Sequence, residues 1–198
     1  MQSRSLTWGK DNAVRRIPVV RRLAIVCVIS LSLVMFTTNQ AYAYHLEPAR
    51  WNGQPAPGTC CAHVTVGKEA THATSLTAWS NGITAWNSSP ALILFDQPSS
   101  YKVGLADIDD AGNSSDGRTT YYYLFGYFTS MSAWLNYHWI KLYPLSKSQG
   151  VAAHELGHIA GLDHTNGCVL MVPDSPTRAS CGISTPQTDD RNGIAAMY

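Results

Sequence analysis

The sequence predicts an α+β domain, and three observations carry that reading. Five short stretches rich in β-branched and aromatic residues recur between residues 63 and 143. A helical pattern at 70–87 falls among them, and a second helix is expected through Val151-Ala152-Ala153 and the histidines that follow. The chain of 198 residues is also nearly neutral, with a formal net charge of +1, as suits a globular core rather than a polyelectrolyte.

Residues 1–43 read as an export signal. Arg15, Arg16, Arg21 and Arg22 form a basic region, residues 23–36 are apolar without a charge, and Ala41-Tyr42-Ala43 offers a small-x-small cleavage site. The apolar run is short for a membrane span, so cleavage after Ala43 is preferred to a retained anchor. The arginine pairs lack a twin-arginine context, which favours the general secretory route. Removal would leave residues 44–198 as one mildly acidic domain, secreted and extracellular, large enough for a single core. Nothing in that charge balance points to nucleic acid, or to a membrane after signal cleavage. A monomer is expected.

Residues 44–58 are rich in Pro, Gly and polar side chains, as in an extended lead-in. A first strand is expected at 63–66. Leu76, Trp79, Ile83 and Trp86 recur at intervals of three and four, which predicts an amphipathic helix over 70–87 with its tryptophans in the core. Residues 91–95, bounded by Pro90 and Pro98, read as a buried strand, and 102–108 as the next. Asp107, Asp109, Asp110, Asn113 and Asp116, with Gly112 and Gly117, form an acidic, turn-rich loop. Oxygen at this density could hold calcium, but the spacing is not that of an EF-hand, and a solvated turn is preferred. Residues 119–128, with Tyr121-Tyr122-Tyr123, and 137–143 are expected as strands.

Residues 154–164 spell HExxHxxGxxH. On a helix, His154 and His158 at i and i+4 project from one face and can grip one ion. Glu155, one residue round from His154, can reach a water there without being a ligand, and is the natural general base. Gly161 lets the chain leave the helix in a left-handed conformation and bring His164 back to the metal. Three neutral imidazoles leave the fourth tetrahedral position open, the mark of a catalytic rather than a structural zinc site. His45, His63, His72 and His138 form no metal pattern, and no second, structural zinc is expected.

On these residues the chain resembles the metzincin metallopeptidases, and among them the matrixins. Cys168-Val169-Leu170-Met171-Val172-Pro173 is similar to the family's Met-turn, with Met171 as the apolar floor beneath the metal. Residues 188–198, with Asp189-Asp190 and Asn192-Gly193-Ile194, are similar to the family's closing helix. The resemblance implies a zincin-like, twisted, mostly parallel five-stranded sheet with two long helices and a C-terminal helix. It also makes residues 119–128 the edge strand over the cleft, where an extended substrate could pair, although the aromatic run serves equally for sheet packing. It implies that residues 172–180 wall the pocket beside the metal. Val172 and Pro173 stand where some metzincins carry a tyrosine, so no tyrosine role is transferred there.

Cys27 falls in the signal, leaving Cys60, Cys61, Cys168 and Cys181, an even count in an exported chain. Cys168 with Cys181 is preferred because both flank the Met-turn segment, and snapalysin-type metzincins look similar. Cys60 and Cys61 would then form a vicinal pair or stay free. Two bridges crossing from the N-terminal segment to the Met-turn loop are the alternative. Matrixins are usually held latent by a propeptide cysteine, but no PRCGxPD-like segment occurs. A protease active on export, or one restrained by a separate inhibitor, is therefore expected, with a Cys60 or Cys61 thiolate as the less favoured brake.

The function expected is a secreted zinc metalloendopeptidase acting on protein or peptide substrates. A secreted zinc-binding recognition module without catalysis is the alternative, and a zinc that merely ties helix to loop is a third. Intact Glu155 argues against the former and the open coordination position against the latter.

Overall fold

A computed structural model describes residues 44–56 and 59–198. The expected signal, including the cleavage site, lies outside the described residues. The described residues form one compact unit.

Five strands make the main sheet: β2 (Ala62–Lys68), β3 (Ile93–Asp96), β4 (Val103–Ile108), β5 (Gly117–Leu124) and β6 (Tyr127–Asn136). Their order is β3-β2-β4-β6-β5. β2 is parallel to β3 and β4, β4 is parallel to β6, and only β5 runs antiparallel, as the second arm of a hairpin with β6. The mostly parallel five-stranded sheet is therefore present, with β5 at one edge. β1 (His45–Leu46) and β7 (Leu162–Asp163) form a separate antiparallel pair.

Helix α1 (Ala73–Asn87) buries Trp79, Ile83 and Trp86, three of the four residues in the apolar pattern. It starts three residues later than 70 because Asp107 holds the preceding loop: its carboxylate accepts from the backbone N–H groups of Thr71 and His72, both at 2.9 Å. α1 packs against α3 (Leu145–Ala160), and Gly82 permits the approach, since a Cβ there would lie 3.0 Å from Ala153 N. Trp86 Nε1 donates across the same contact to Ala153 O at 2.8 Å.

Two strand expectations need correction. Residues 119–128 are not one strand: the chain reverses at Phe125-Gly126, where both φ values are positive, as a two-residue hairpin loop of type I′ requires. Residues 137–143 are not a strand either. The strand lies one segment earlier, in β6, and Tyr137–Ile140 form a helical turn, α2, whose start is capped by Asn136 accepting from His138 N. Met131, Ala133 and Leu135 are buried on alternate positions, a period of two obscured in the sequence by Trp134 between them and by the β-bulge opposite Tyr122/Tyr123, which sets Phe128 three residues before Met131.

The acidic loop is organised by hydrogen bonds from Asn136 and Trp139. Asn136 Nδ2 donates to the carbonyls of Asp110 (2.8 Å), Asn113 (3.1 Å) and Ser115 (3.3 Å), and Trp139 Nε1 donates to Asn113 O at 2.6 Å. The amide thus gathers three carbonyl oxygens of the loop, while Asp107 is engaged at α1. Nothing in the loop supports the calcium reading.

The lead-in does more than enter the fold. Trp51 is buried and donates from Nε1 to Ile159 O at 2.8 Å, and Glu47 N donates to Gly161 O at 2.9 Å. The chain closes with α4 (Ser175–Ser180) and α5 (Thr188–Met197). Cys168 is bridged to Cys181, with Cα atoms 5.6 Å apart, and Cys60 to Cys61; the crossed pairing does not occur and neither thiol of the vicinal pair is free. Among the described residues no helix is long and apolar enough to cross a membrane.

Candidate metal centre and cleft

His154 and His158 project from the last turns of α3, and the turn at Gly161 (φ 102°) brings His164 opposite them. The left-handed conformation read from the motif is the one observed. His164 Nε2 lies 3.2 Å from His154 Nε2 and 3.1 Å from His158 Nε2. Three nitrogens about 2.0–2.1 Å from one tetrahedral zinc would be about 3.4 Å apart, so the spacing fits that ion.

The far ring nitrogens set the tautomers. His154 Nδ1 faces Leu170 O at 2.9 Å and His158 Nδ1 faces Leu162 O at 2.8 Å. Both Nδ1 atoms therefore carry the proton and both Nε2 atoms present lone pairs to the centre. Converging lone pairs repel unless a cation lies between them. Among the described residues this is the one group of three His, Cys, Asp or Glu side chains placed to hold a metal.

The electrostatics favour neutral ligands at two of the three positions. Burial, and then the Arg178 guanidinium, push His154 well below the usual imidazole range. Burial and the His158 charge lower His164. Burial also acts to lower His158, but the Glu47 and Glu155 carboxylates outweigh it and raise that residue.

Glu155 is buried beside His154, and burial raises its carboxyl above the ordinary value against the opposing pull of His158 and Thr119. Thr119 Oγ1, on β5, donates to Glu155 Oε2 at 2.8 Å. Gly117 lies so close that a Cβ there would be 2.7 Å from Oε1. The edge strand thus fixes the carboxylate from two positions.

Met171 is buried against α3, where a Cβ on Gly157 would overlap its sulfur. Asp190 holds the Met-turn by accepting from Leu170 N and Met171 N, both at 3.1 Å, and from Gln187 N at 2.6 Å. That supplies a physical role for one of the paired aspartates of the closing helix.

Residues overlooked in the sequence complete the site. Glu47 lies 3.5 Å from His158 Nδ1, and the Tyr121 hydroxyl donates to its other oxygen. Arg178 is 3% exposed: Nη1 donates to Val172 O at 2.7 Å and Nη2 to Ser175 Oγ at 2.8 Å. Its Nη1 also lies 3.1 Å from His154 Nδ1. Since that nitrogen donates to Leu170 O, Arg178 acts there as a neighbouring charge rather than as a donor. The Glu47 contact is long-range in sequence, and Arg178 reads locally as a surface residue of a short helix, so neither carried a periodic signal.

These groups line a cleft of ≈ 670 Å³ together with Asp116, Tyr121, Tyr143, Pro173 and Asp174. As expected, part of 172–180 forms one wall. A parallel sheet with an antiparallel edge over the cleft, a helix carrying two histidines, a glycine turn to the third and a buried methionine define the metzincin class of zinc metallopeptidase. The sequence narrows this further: the Matrixin family model matches residues 72–198, and the chain belongs to that family.

No curated protein matches the chain in sequence. Among solved structures, one of myroilysin is 15% identical, covers 56% of this chain and 52% of its own, and has a TM-score of 0.38. High choriolytic enzyme 1, a hatching enzyme zinc-protease from Oryzias latipes (medaka fish), is 14% identical over 59% of this chain and 50% of its own, with a TM-score of 0.36. A second myroilysin structure is 14% identical over 77% of each chain, with a TM-score of 0.36. The chain spans about half the length of the first two.

Proposed function

We propose that the protein is a secreted zinc-dependent endopeptidase, with residues 1–43 as its removable signal, His154, His158 and His164 as the zinc ligands, Glu155 as general base and Met171 as the floor of the site. The convergence of the three Nε2 atoms beside the buried Glu155 carboxylate carries this reading. When bound, zinc would supply Lewis-acid polarisation of the scissile carbonyl and of the attacking water.

The chain's own residues account for the rest. Thr119 occupies Glu155 Oε2, which leaves Oε1 to take the proton from water and return it to the departing amine. The raised carboxyl suits that exchange, because a strongly acidic group would hold the proton too weakly to carry it. β5 pairs with β6 on one side only, so its outer backbone edge can align an extended peptide past Glu155. Leu162 O orients His158 through Nδ1, and the Glu47 carboxylate 3.5 Å from that nitrogen adds negative charge behind the imidazole.

The test uses the purified chain from Tyr44 onward with an unfolded protein substrate, with and without a zinc chelator. Cleavage that stops with the chelator and returns with zinc is expected. Cleavage that survives chelation would overturn the mechanism, and one equivalent of bound zinc without any cleavage would favour a recognition module. Export is tested separately by sequencing the secreted protein's N-terminus, which should be Tyr44.

A further inference from the structure

We propose that the aromatic tip of the β5–β6 hairpin is a distal subsite that holds an apolar side chain of an extended protein substrate, well away from the bond being cut. The inference rests on the proposed endopeptidase function and adds the substrate feature it selects.

The tip is Tyr122-Tyr123-Leu124-Phe125-Gly126-Tyr127. Tyr122 is 67% exposed, Leu124 58% and Phe125 89%. Residues 119–136 contain no charged side chain, so beyond backbone pairing and the tyrosine hydroxyls this surface offers a partner apolar and aromatic contact. Phe125 has a φ of 50°, a left-handed conformation that bulky residues rarely adopt. The position before glycine in such a turn ordinarily takes Asn or Asp. A phenylalanine here serves neither the turn nor the core, which leaves an external contact as its use.

The tip is also held still and joined to the cleft. Arg50 N donates to Gly126 O at 3.1 Å and Phe128 N to Arg50 O at 3.0 Å, tying the reversal to the N-terminal segment. Tyr121 lines the cleft, and Tyr123, two residues on, keeps its ring centroid 6.2 Å from that of Tyr121. An aromatic row therefore runs from the metal centre toward the tip along the free edge of β5. Phe125 is six residues beyond Thr119, which contacts Glu155; at the rise of a strand that is roughly 20 Å. A peptide paired on β5 would present at the tip a residue about six positions from the scissile bond.

The test measures binding by fluorescence anisotropy to the zinc-loaded Glu155→Gln protein. Labelled peptides carry Leu-Phe or Ser-Ser about six residues from the cut site, in one series on its N-terminal side and in another on its C-terminal side, and a short peptide omits the extension. In one of the two series the Leu-Phe peptide should bind about tenfold more tightly than the Ser-Ser one. Phe125→Asn, which gives the turn its preferred residue and so keeps the hairpin, and Tyr123→Ser should each remove most of that difference while leaving the short peptide unchanged. Equal binding of the two long peptides in both series, or a preference that survives both substitutions, overturns the proposal. So does binding to phosphatidylcholine vesicles that Phe125→Asn abolishes while peptide preference stays intact, a result that would assign the tip to a lipid surface. Hydrolysis of the short peptide by the unsubstituted protein is read separately: its absence counts against the endopeptidase function, whereas the tip stands or falls on binding alone.

Discussion

At the scale of single residues, the site depends on partners that complete the motif from elsewhere in the chain. Thr119 fixes one oxygen of Glu155, and a hydrogen bond to a charged group is worth about 1.5–3 kcal/mol. Thr119→Val should therefore lower kcat/KM by about tenfold to a hundredfold, measured on a peptide substrate, with zinc affinity unchanged. Arg178 is placed differently. Its guanidinium ties Val172 O and Ser175 Oγ beneath the cleft wall, and the Asp116, Glu155, Asp174 and Asp190 carboxylates supply the surrounding negative charge. Arg178→Met would strand those buried acceptors and cost about 2–4 kcal/mol, read as a lower denaturant midpoint. The motif histidines, Glu155 and Met171 could be singled out in the sequence because the motifs that carry them are local. Thr119, Glu47 and Arg178 were not, because tertiary folding alone places them beside α3.

At the scale of elements, each part of the site is delivered by a contact that can be broken. Gly157 sits on α3 with no room for a side chain above Met171, so Gly157→Ala must displace the sulfur or the helix. Overpacking of this kind costs about 1–3 kcal/mol, and thermal unfolding should show it together with weaker zinc binding. Asp107 anchors the start of α1. Although burial favours its neutral acid, the N–H groups of Thr71 and His72 hold its pKa down at about 2, below the ordinary 3.8. A carboxyl whose folded pKa is depressed stabilises the protein fully above the unfolded value and loses that contribution as pH falls through the folded one. Stability should therefore decline between about pH 4 and pH 2, and Asp107→Asn should flatten that part of the profile while lowering stability near neutrality by about 1 kcal/mol. α1 and α3 were legible from period and motif, and the family resemblance supplied α5 and β5 as an edge, whereas α2 and α4 were not read as helices. β6 was not legible, because a bulge and the outward Trp134 break its alternation and Phe-Gly is an unusual hairpin turn; the expected strand at 137–143 fell on a helical turn that Asn136 caps.

At the scale of the molecule, the metal centre joins three parts of the chain that are remote in sequence. The N-terminal segment supplies Glu47 beside His158, β5 supplies Thr119, and α5 supplies Asp190 under the Met-turn. Zinc bound to the folded state alone adds stability by mass action, about 4 kcal/mol at a thousandfold excess over its Kd. Chelation should accordingly lower the melting temperature of the whole domain in one transition, followed by calorimetry, rather than loosen the cleft alone. The most direct test of the account compares Glu155→Gln with the unsubstituted protein, each carrying one equivalent of zinc, in the hydrolysis of one peptide. We predict unchanged zinc stoichiometry and affinity with a rate lower by at least a factor on the order of a hundred. Equal rates for the two proteins would contradict the assignment of Glu155 as the group that moves the proton.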